Sequence, residues 1–299
     1  LVTFKVMIDY LVKNKSKLPK NIDFDFIRIP QALNSNDLSK KILDYDGLIC
    51  GDDEIDENVI KNANKLKVIS KWGTGIDSIN KNLCLKNGIK VCNTPNAFTD
   101  SVAQLALSYI LAFSKNIFEI HHNIKYKKKW PKTSSVLMKN QTIGIVGLGN
   151  IGLKLAHFCN KVGFKVLFND IKKIKSKVFP RTSLKNLLTK SDYICVCCDL
   201  NSSSKYLLNS KNLKFMKKTA ALINVARGPI IKEHSLIKFL EKNKNFKVAL
   251  DVFEQEPLKK NSPLRKYDNV ILSSHNAFNS RELVEEVNKN SLVNIIENI

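Results

Sequence analysis

The sequence predicts an α/β fold built on parallel β-sheets. Short apolar runs alternate with more polar stretches of helical spacing along nearly the whole chain, which is the pattern of βαβ units. Several polar side chains of the kinds used in catalysis also stand directly after apolar runs. In a parallel sheet such positions lie at the carboxyl edge, where open α/β sheets bind their ligands. A length of 299 residues is enough for two domains of ordinary size.

The first third of the chain shows this alternation clearly. Five apolar runs predict strands at residues 4–8, 24–29, 47–50, 66–70 and 89–92. Polar stretches between them predict helices at residues 36–43 and 56–63. The fourth run is followed by Gly73-Thr74-Gly75, whose backbone N–H groups can hold a carboxylate. A plain tight turn explains the same three residues equally well.

A long apolar helix is predicted from residue 101 to residue 118. Thr99 or Asp100 is a natural N-cap, because its side-chain oxygen can accept from the unpaired N–H groups of the first turn. The helix is apolar on nearly every side, so it is either deeply buried or part of an oligomer interface. A lysine-rich, exposed loop is predicted to follow at residues 125–131.

A glycine-rich turn joins an apolar strand at residues 142–146 to a helix that begins near residue 150. Its pattern is Gly147-x-Gly149-x-x-Gly152. Gly147 permits a tight turn, Gly149 lets a pyrophosphate approach the backbone, and Gly152 lets the helix pack closely on the strand. The N–H groups at the helix start then face the phosphates. The stretch therefore predicts a dinucleotide site, with a plain strand–turn–helix as the alternative.

A carboxylate follows at the spacing that a dinucleotide site requires. A second apolar run at residues 164–168 ends at Asp170, which lies 18 residues after Gly152. A carboxylate there can accept hydrogen bonds from both ribose hydroxyls of an adenosine and would repel a 2′-phosphate. NAD is therefore favoured over NADP, although Lys172 and Lys173 weaken that preference.

The rest of the chain continues the alternation and adds four polar groups. Strands are predicted at residues 193–198, 220–225, 246–250 and 270–273, and helices at 184–188, 207–216, 235–241 and 281–299. Arg227, Asp251 and His275 each follow one of these strands closely, and Glu256 lies shortly downstream of Asp251. Taken singly, each has an ordinary structural explanation, such as a helix cap or a solvated loop carboxylate. Together they mark the edge of the sheet at which ligands bind.

The charge of the chain is strongly positive, with a formal net value of +22. Such a charge is compatible with nucleic acid binding. The lysines are nevertheless spread along the chain beside many asparagines, and arginine, which makes specific phosphate and base contacts, is scarce. Attraction of a small anionic substrate is the favoured interpretation, and nucleic acid binding is disfavoured.

Composition also favours a cytoplasmic protein with reduced thiols. No run of about 18 uncharged apolar residues is present, so no membrane span is predicted. The chain enters an apolar run almost at once, which leaves no room for a signal peptide. Seven cysteines is an odd number, and most lie in apolar runs. Cys195 and Cys198 would point to opposite faces of a strand, so no metal site is predicted.

With these motifs the sequence resembles the D-isomer-specific 2-hydroxyacid dehydrogenases, and among them it looks most like the phosphoglycerate dehydrogenase-like members. The likeness runs from about residue 66 to the end of the chain. It is carried by six motifs in the family's order: Gly73-Thr74-Gly75-Ile76-Asp77, Asn93-Thr94-Pro95, the stretch 147–152 with Asp170, Ile223-Asn224-Val225-Ala226-Arg227-Gly228, the stretch 249–257 around Asp251 and Glu256, and Ser274-His275. Residues 1–65 match only in their strand–helix rhythm.

The resemblance implies two doubly wound α/β domains with the active site in the cleft between them. A flavodoxin-like substrate-binding domain would comprise residues 1–97 and be completed by residues 277–299. A Rossmann domain that binds NAD would comprise residues 98–276. The family is usually dimeric through the nucleotide domain, which implies a homodimer and accounts for the apolar helix.

The resemblance also implies a mechanism. His275 would be the acid–base group, Glu256 would hydrogen-bond its far ring nitrogen, and Arg227 would bind and polarise the substrate. Gly73, Thr74 and Gly75 would hold the substrate carboxylate. The cofactor contacts implied by the family, beyond Gly147, Gly149, Gly152 and Asp170, come from Val102, Asn150, Ile151, Ser204, Val225, Ala226 and Asp251.

The expected activity is NAD-dependent hydride transfer at C2 of a D-2-hydroxy acid or its 2-keto acid. 3-Phosphoglycerate, hydroxypyruvate and glyoxylate are the candidate substrates. The alternative is a non-catalytic protein of the same fold that senses NAD(H). The presence of Arg227, Glu256 and His275 favours the enzyme.

Overall fold

The protein is described here by a computed structural model that covers residues 1–29 and 31–299. The α/β fold with parallel sheets is confirmed. The chain divides into two compact units: unit 1 comprises Leu1–Phe98 and Asn279–Ile299, and unit 2 comprises Thr99–Phe278. Among the described residues the strands are β1 (Gly47–Cys50), β2 (Val68–Lys71), β3 (Lys90–Cys92), β4 (Thr142–Val146), β5 (Lys165–Asn169), β6 (Tyr193–Val196), β7 (Ala221–Asn224), β8 (Lys247–Leu250) and β9 (Val270–Leu272).

The helices lie mostly between these strands, as the alternation predicts. In the described part of the chain they are α1 (Lys5–Lys13), α2 (Ser35–Ser39), α3 (Glu57–Asn62), α4 (Lys81–Lys86), α5 (Thr99–Ser114), α6 (Ile117–Lys125), α7 (Asn150–Lys161), α8 (Leu184–Lys190), α9 (Ser210–Leu213), α10 (Glu233–Lys242) and α11 (Arg281–Ile296). Short 3₁₀ helices occur at Lys15–Lys17, Met138–Asn140, Gly228–Ile230 and Pro263–Lys266. No helix of the described residues is long and apolar enough to cross a membrane.

Unit 1 is built on a parallel sheet with the order β1-β2-β3. Its core packs Leu48, Ile69 and Val59 among other buried aliphatic side chains. Helix α11, from the end of the chain, packs on β1 and β2, where Val287 and Ile295 are buried. Since the strands are parallel, the loops that follow β1, β2 and β3 all leave from the same edge of the sheet.

The predicted strand at residues 4–8 is wrong, because these residues belong to α1. A short apolar run cannot by itself distinguish a buried strand from one side of a helix. In α1 the buried residues are Met7, Ile8 and Leu11, a helical spacing that the lysines around them obscure. Strand-like pairing falls instead on Val2, which forms isolated parallel bridges with Phe26 and Ile49. Within residues 24–29 only Phe26 takes part in such a bridge.

Unit 2 is built on a six-stranded parallel sheet with the order β5-β4-β6-β7-β8-β9 in the described part of the chain. The order runs outwards in two directions from the pair β4 and β6, which is the doubly wound arrangement. Aliphatic side chains on β6, β7 and β8, including Ile194, Leu222 and Val248, fill the core. The carboxyl ends of these strands therefore form one edge, and the loops that follow them carry the candidate site.

Helix α5 packs on α7 and on β7, with Ala103, Ala106 and Ile110 fully buried. The predicted helix at residues 101–118 is in fact two helices. Asn116 adopts a left-handed conformation with φ of 53°, which ends one helix before α6 begins at Ile117.

Candidate cofactor and active site

In the glycine-rich turn after β4, the packing of the protein requires glycine at two of the three glycine positions. Gly147 has φ of 93°, and a Cβ there would lie 2.6 Å from Cα of Cys198. A Cβ on Gly152 would lie 2.0 Å from the carbonyl oxygen of Gly147, so only glycine lets α7 approach the strand. Gly149 is the N-cap of α7 with φ of −72°, and a Cβ there would meet nothing within 4 Å. The turn thus leaves open space at the position where the sequence places a pyrophosphate.

Asp170 follows the end of β5 and contacts the glycine-rich turn directly. Its Oδ2 accepts a hydrogen bond from the backbone N–H of Leu148 at 2.7 Å, and its Oδ1 accepts from that of Lys172 at 2.8 Å. Arg181 Nη2 donates to the carbonyl oxygen of Asp170 at 2.8 Å. The carboxylate is therefore held against the turn, with further lone pairs for the hydroxyls of a ribose.

The other predicted cofactor residues all belong to unit 2. Val102 is buried on α5, Asn150 and Ile151 open α7, and Val225 and Ala226 follow β7. The hydroxyl of Ser204 is engaged within its own loop, where it donates to the carbonyl oxygen of Asp199 at 2.6 Å. The N–H of Ala226 donates to Oδ1 of Asn224 at 3.1 Å. Contacts of these residues with a cofactor stay a prediction.

His275 and Glu256, which are 19 residues apart, are in hydrogen-bond contact. Nδ1 of His275 lies 2.7 Å from Oε2 of Glu256, and the two side chains are 22% and 18% exposed. The other carboxylate oxygen of Glu256 accepts from the backbone N–H of Phe253 at 2.9 Å. With Nδ1 directed at the carboxylate, Nε2 is the ring nitrogen that faces away from it. This is the arrangement of an imidazole whose tautomer is set by a neighbouring carboxylate.

Asp251 holds the turn that carries His275. Its carboxylate is almost fully buried and accepts from the backbone N–H groups of Asn276 at 2.9 Å and Ala277 at 3.1 Å. Its carbonyl oxygen accepts from the N–H of His275 at 2.7 Å. These bonds fix His275 in a left-handed conformation with φ of 53°. Sequence reasoning missed this role, since no local pattern shows which distant N–H groups a carboxylate will meet.

Arg227 stands just past the carboxyl end of β7. Its Nη1 donates to the carbonyl oxygen of Ala226 at 2.9 Å, and Asn224 Nδ2 donates to the carbonyl oxygen of Arg227 at 2.9 Å. The next residue, Gly228, touches the backbone of Phe253, where an added Cβ would lie 1.9 Å from the carbonyl carbon. Asn224 and Gly228 thus fix the arginine segment against the segment that carries Glu256. The glycine directly after the arginine is the sequence signal that could have indicated this close contact.

In unit 1 the loop after β2 is held by bonds to the segment after β3. Gly73 has φ of 102°, and its carbonyl oxygen accepts from the N–H of Thr94 at 2.9 Å. Thr74 Oγ1 donates to the carbonyl oxygen of Thr94 at 3.0 Å, while Asn93 Nδ2 donates to that of Thr74 at 2.6 Å. The predicted carboxylate loop at residues 73–75 therefore has a fixed backbone.

Trp72, which immediately precedes this loop, is buried between two aromatic rings. Its ring centroid lies 4.6 Å from that of Phe4 and 5.5 Å from that of Phe98. Its indole Nε1 donates to Oδ1 of Asn288 on α11 at 2.7 Å. The aromatic packing and this bond fix the start of the loop to the core of unit 1.

The cysteines near the glycine-rich turn are buried or half-buried thiols. Burial raises the pKa of Cys159 and that of Cys198 to about 12, so both are protonated at neutral pH. The sulfur of Cys195 lies 3.7 Å from that of Cys197. Among the residues described, no group of three or more His, Cys, Asp or Glu side chains is arranged to hold a metal ion.

Comparison with known proteins identifies the family. Residues 107–277 match the model of the D-isomer specific 2-hydroxyacid dehydrogenase NAD binding domain. The glyoxylate reductase of Thermofilum pendens is 38% identical over 275 residues, which are 87% of this chain and 81% of the relative. The D-3-phosphoglycerate dehydrogenase of Methanocaldococcus jannaschii is 30% identical over 264 residues, covering 86% of this chain and 50% of the relative.

Solved structures agree in fold over nearly the whole chain. The TT0316 protein of Thermus thermophilus has a TM-score of 0.83 at 26% identity, covering 97% of this chain and 93% of the other. The D-lactate dehydrogenase of Aquifex aeolicus, complexed with NAD and lactic acid, has a TM-score of 0.84 at 22% identity, covering 99% and 94% of the two chains. The family, the fold and NAD as cofactor, which the sequence predicts, are thereby confirmed. The chain belongs to the D-isomer specific 2-hydroxyacid dehydrogenase family and is an NAD-dependent oxidoreductase.

Proposed function

We propose that this enzyme interconverts a small 2-keto acid and the corresponding D-2-hydroxy acid, with His275 as the acid–base group. The observation that supports this most directly is the 2.7 Å contact between His275 Nδ1 and Glu256 Oε2. It joins an imidazole and a carboxylate at the edge of the sheet where open α/β proteins bind ligands. Bound NADH supplies the hydride that C2 of the keto acid receives.

The role of His275 follows from the proton that the reaction requires. When C2 is reduced, its oxygen becomes an alkoxide and must take up a proton. Nε2 of His275 donates that proton, and in the oxidation direction it removes the proton from the hydroxyl. Glu256 keeps the second ring proton on Nδ1 and stabilises the imidazolium by its negative charge. Asp251 contributes through the backbone bonds that fix the turn from His275 to Ala277.

In this proposal the substrate is oriented by the guanidinium of Arg227 and by the backbone N–H groups of residues 73–75. The guanidinium of Arg227 binds the carboxylate and the C2 oxygen of the acid by charge-assisted hydrogen bonds, and it stabilises the negative charge that develops on that oxygen. The backbone N–H groups of Gly73, Thr74 and Gly75 bind the carboxylate. The fixed backbone of this loop supports the proposed role. Hydrogen bonds hold the loop to the segment after β3; they involve Gly73, Thr74, Asn93 and Thr94.

Two classes of acid fit the relatives. Glyoxylate reductases at 29–38% identity suggest glyoxylate, whereas D-3-phosphoglycerate dehydrogenases at 29–30% suggest a phosphorylated three-carbon acid. Both classes are anions that the high positive charge of the chain would attract. We propose the non-phosphorylated acids as substrates, because the relative with the highest of these identities is a glyoxylate reductase.

The test is the loss of NADH absorbance with a panel of 2-keto acids: glyoxylate, hydroxypyruvate, its phosphate and pyruvate. His275→Ala should lower kcat by about a hundredfold or more while NADH binding stays unchanged. His234→Ala, an exposed histidine on α10, is the matched control and should keep the wild-type rate. Glu256→Gln, which keeps a hydrogen-bond acceptor without the charge, should give an intermediate loss.

The alternative function, NAD(H) sensing without catalysis, makes a different prediction. Tight NADH binding with no turnover on any acid of the panel would support it. Equal rates for His275→Ala and the wild type would instead show that another group transfers the proton.

We also propose that the enzyme is a homodimer that associates through unit 2. Apolar side chains are exposed along residues 117–137, namely Ile117, Phe118, Ile124, Tyr126, Trp130, Val136 and Leu137. Exposed apolar surface of this extent is typical of an interface. Light scattering should give twice the chain mass of 33.9 kDa, and Trp130→Glu should shift the protein towards monomer. A wild-type protein that is monomeric at micromolar concentration would contradict the proposal.

A further inference from the structure

Two glutamates join the start of α10 to the segment that carries Glu256. Oε1 of Glu233, the first residue of α10, accepts a hydrogen bond from the backbone N–H of Glu254 at 2.7 Å. Oε1 of Glu254 accepts in return from the backbone N–H of Glu233, also at 2.7 Å. The two residues are 21 positions apart, and both belong to unit 2. Each carboxylate therefore holds the backbone of the other residue.

Helix α10 receives a cap from this pair. The first N–H groups of a helix have no partner within the helix itself. The N-cap of α10 is Lys232, whose side chain has no acceptor and lies with its ammonium over the ring of Tyr206, 5.7 Å from the centroid. The carboxylate of Glu254 supplies the missing acceptor, and its negative charge is favourable at the positive end of the helix dipole. The start of α10 is thus a fixed support for the segment at residues 253–256.

Two consecutive backbone N–H groups of that segment are each bound by a carboxylate. The N–H of Phe253 donates to Oε1 of Glu256 at 2.9 Å, and the next N–H, that of Glu254, donates to Glu233. The other oxygen of Glu256 lies 2.7 Å from Nδ1 of His275. A turn of the backbone at Glu254 would therefore redirect the N–H of Phe253 and, with it, the carboxylate that contacts His275.

The charge of Glu233 can be separated from its position. Burial raises the pKa of Glu233, and the negative charges of Glu254 and Glu256 raise it further, while the hydrogen bond from Glu254 lowers it. Gathering like charges in this way is unfavourable. The amide oxygen of a glutamine accepts the same N–H bond without the charge. Substitution by glutamine or by alanine therefore tells a requirement for the bond from a requirement for the charge.

We propose that Glu233 is a positioning residue that acts through the backbone of Glu254 to hold the carboxylate of Glu256 against His275. The inference rests on the proposed function, in which His275 transfers the proton. Without the carboxylate of Glu233, the N–H of Glu254 loses its partner and the segment at residues 253–256 loses its connection to α10. The imidazole is then less well oriented for proton transfer, although the glycine-rich turn that binds NADH is unchanged.

The experiment measures kcat on the best acid of the panel and the dissociation constant of NADH. Glu233→Ala should lower kcat by about tenfold or more, because small displacements of reacting groups can cost up to about a hundredfold, and it should leave the NADH constant unchanged. Glu233→Gln should restore kcat to within about twofold of the wild type, since it keeps the acceptor. The matched control is Glu241→Ala, which removes an exposed glutamate near the other end of α10 and should keep the wild-type rate.

A second measurement follows the contact itself by proton NMR. The Nδ1 proton of His275, identified by its loss in His275→Ala, should lie downfield because it is shared in a short hydrogen bond with a carboxylate. This signal should move upfield in Glu233→Ala and keep its position in Glu233→Gln. The measurement requires no turnover, so it tests the position of the imidazole independently of the reaction.

Three results would overturn this inference and leave the proposed function intact. They are a wild-type kcat in Glu233→Ala, equal losses of kcat in the alanine and glutamine variants, and an Nδ1 signal that does not move in Glu233→Ala. Absence of turnover by the wild-type enzyme on every acid of the panel would instead overturn the proposed function, and the role of Glu233 in catalysis with it.

Discussion

The two glycine-containing loops of this enzyme differ in what their glycines contact. In unit 2, Gly147 and Gly152 are required by the protein itself, because an added Cβ would lie 2.6 Å and 2.0 Å from backbone atoms. Gly149, between them, has open space and an ordinary φ of −72°. In unit 1, Gly73 has φ of 102°, and its Cβ would approach only a ring carbon of Phe98, at 3.3 Å.

The difference separates two glycines that the packing of the protein requires from one that it does not require. Gly147 lets the turn approach the backbone of Cys198 after β6, and Gly152 lets α7 pack against the end of β4. At Gly149 an added Cβ would meet no atom of the described residues within 4 Å. This is expected at a position where glycine leaves room for a pyrophosphate. Gly73 is an intermediate case, required by its backbone conformation rather than by packing. Four substitutions test this ranking.

Gly152→Ala should have the largest effect. The new Cβ would lie 2.0 Å from the carbonyl oxygen of Gly147, so α7 must move away from β4 at a cost of about 2–3 kcal/mol. Denaturant unfolding should show this loss in unit 2, together with weaker NADH binding. Helix propensity alone predicts the opposite sign, since alanine stabilises a helix interior by about 0.5–1 kcal/mol over glycine. A more stable variant would therefore contradict the close packing.

Gly149→Ala should separate binding from stability. Its Cβ meets no protein atom within 4 Å, and alanine at a helix N-cap costs about 0.5–1 kcal/mol relative to glycine. The free energy of unfolding should fall by no more than that amount. The dissociation constant of NADH, measured by fluorescence titration, should rise by about tenfold, or ~1.4 kcal/mol. Unchanged NADH affinity would remove the distinction between this glycine and its neighbours.

Gly73→Ala should affect the acid and not the cofactor. A φ of 102° is strained for alanine by about 1–3 kcal/mol, so the loop at residues 73–75 should shift to relieve it. We expect KM for the keto acid to rise by about tenfold, with the NADH dissociation constant unchanged. An equal weakening of both ligands would show that the loop has no separate role.

Gly88→Ala is the control for backbone strain and should have the smallest effect. Gly88 has φ of 72° and nothing within 4 Å of a new Cβ. Thermal unfolding should show a loss of about 1 kcal/mol, with both kinetic constants unchanged. A kinetic effect here would mean that strain in unit 1 alone, without any change in the loop at residues 73–75, alters substrate binding.

Most of the α/β architecture could be predicted because strand and helix patterns repeat along the chain. The glycine-rich turn could be predicted because its three glycines stand at a fixed spacing between an apolar strand and a helix. The strand predicted at residues 4–8 is α1, since four or five apolar positions do not fix a period. The break after Ser114 depends on the conformation of Asn116, which the apolar run does not reveal.

In the candidate site, too, some features could be predicted from the sequence and others could not. The identities of Arg227, Glu256 and His275 follow from motifs, and the structure brings Glu256 and His275 to 2.7 Å. The bonds from Asp251 to Asn276 and Ala277 join segments 25 and 26 residues apart. The bonds between Glu233 and Glu254 join segments 21 residues apart. Contacts of this kind are properties of the assembled fold, so no local sequence pattern could predict them.

Helix α11 has a consequence for the order in which the protein can form during translation. It packs on β1 and β2. Ile299, just after this helix, also lies against β1, where an added Cβ on Gly47 would be 3.1 Å from its Cδ1. The ribosome must first make residues 99–278, which takes roughly 10–40 s at typical synthesis rates. Unit 2 is continuous and can complete its sheet as it emerges. Unit 1, although its strands are made first, must wait for the last helix to cover them.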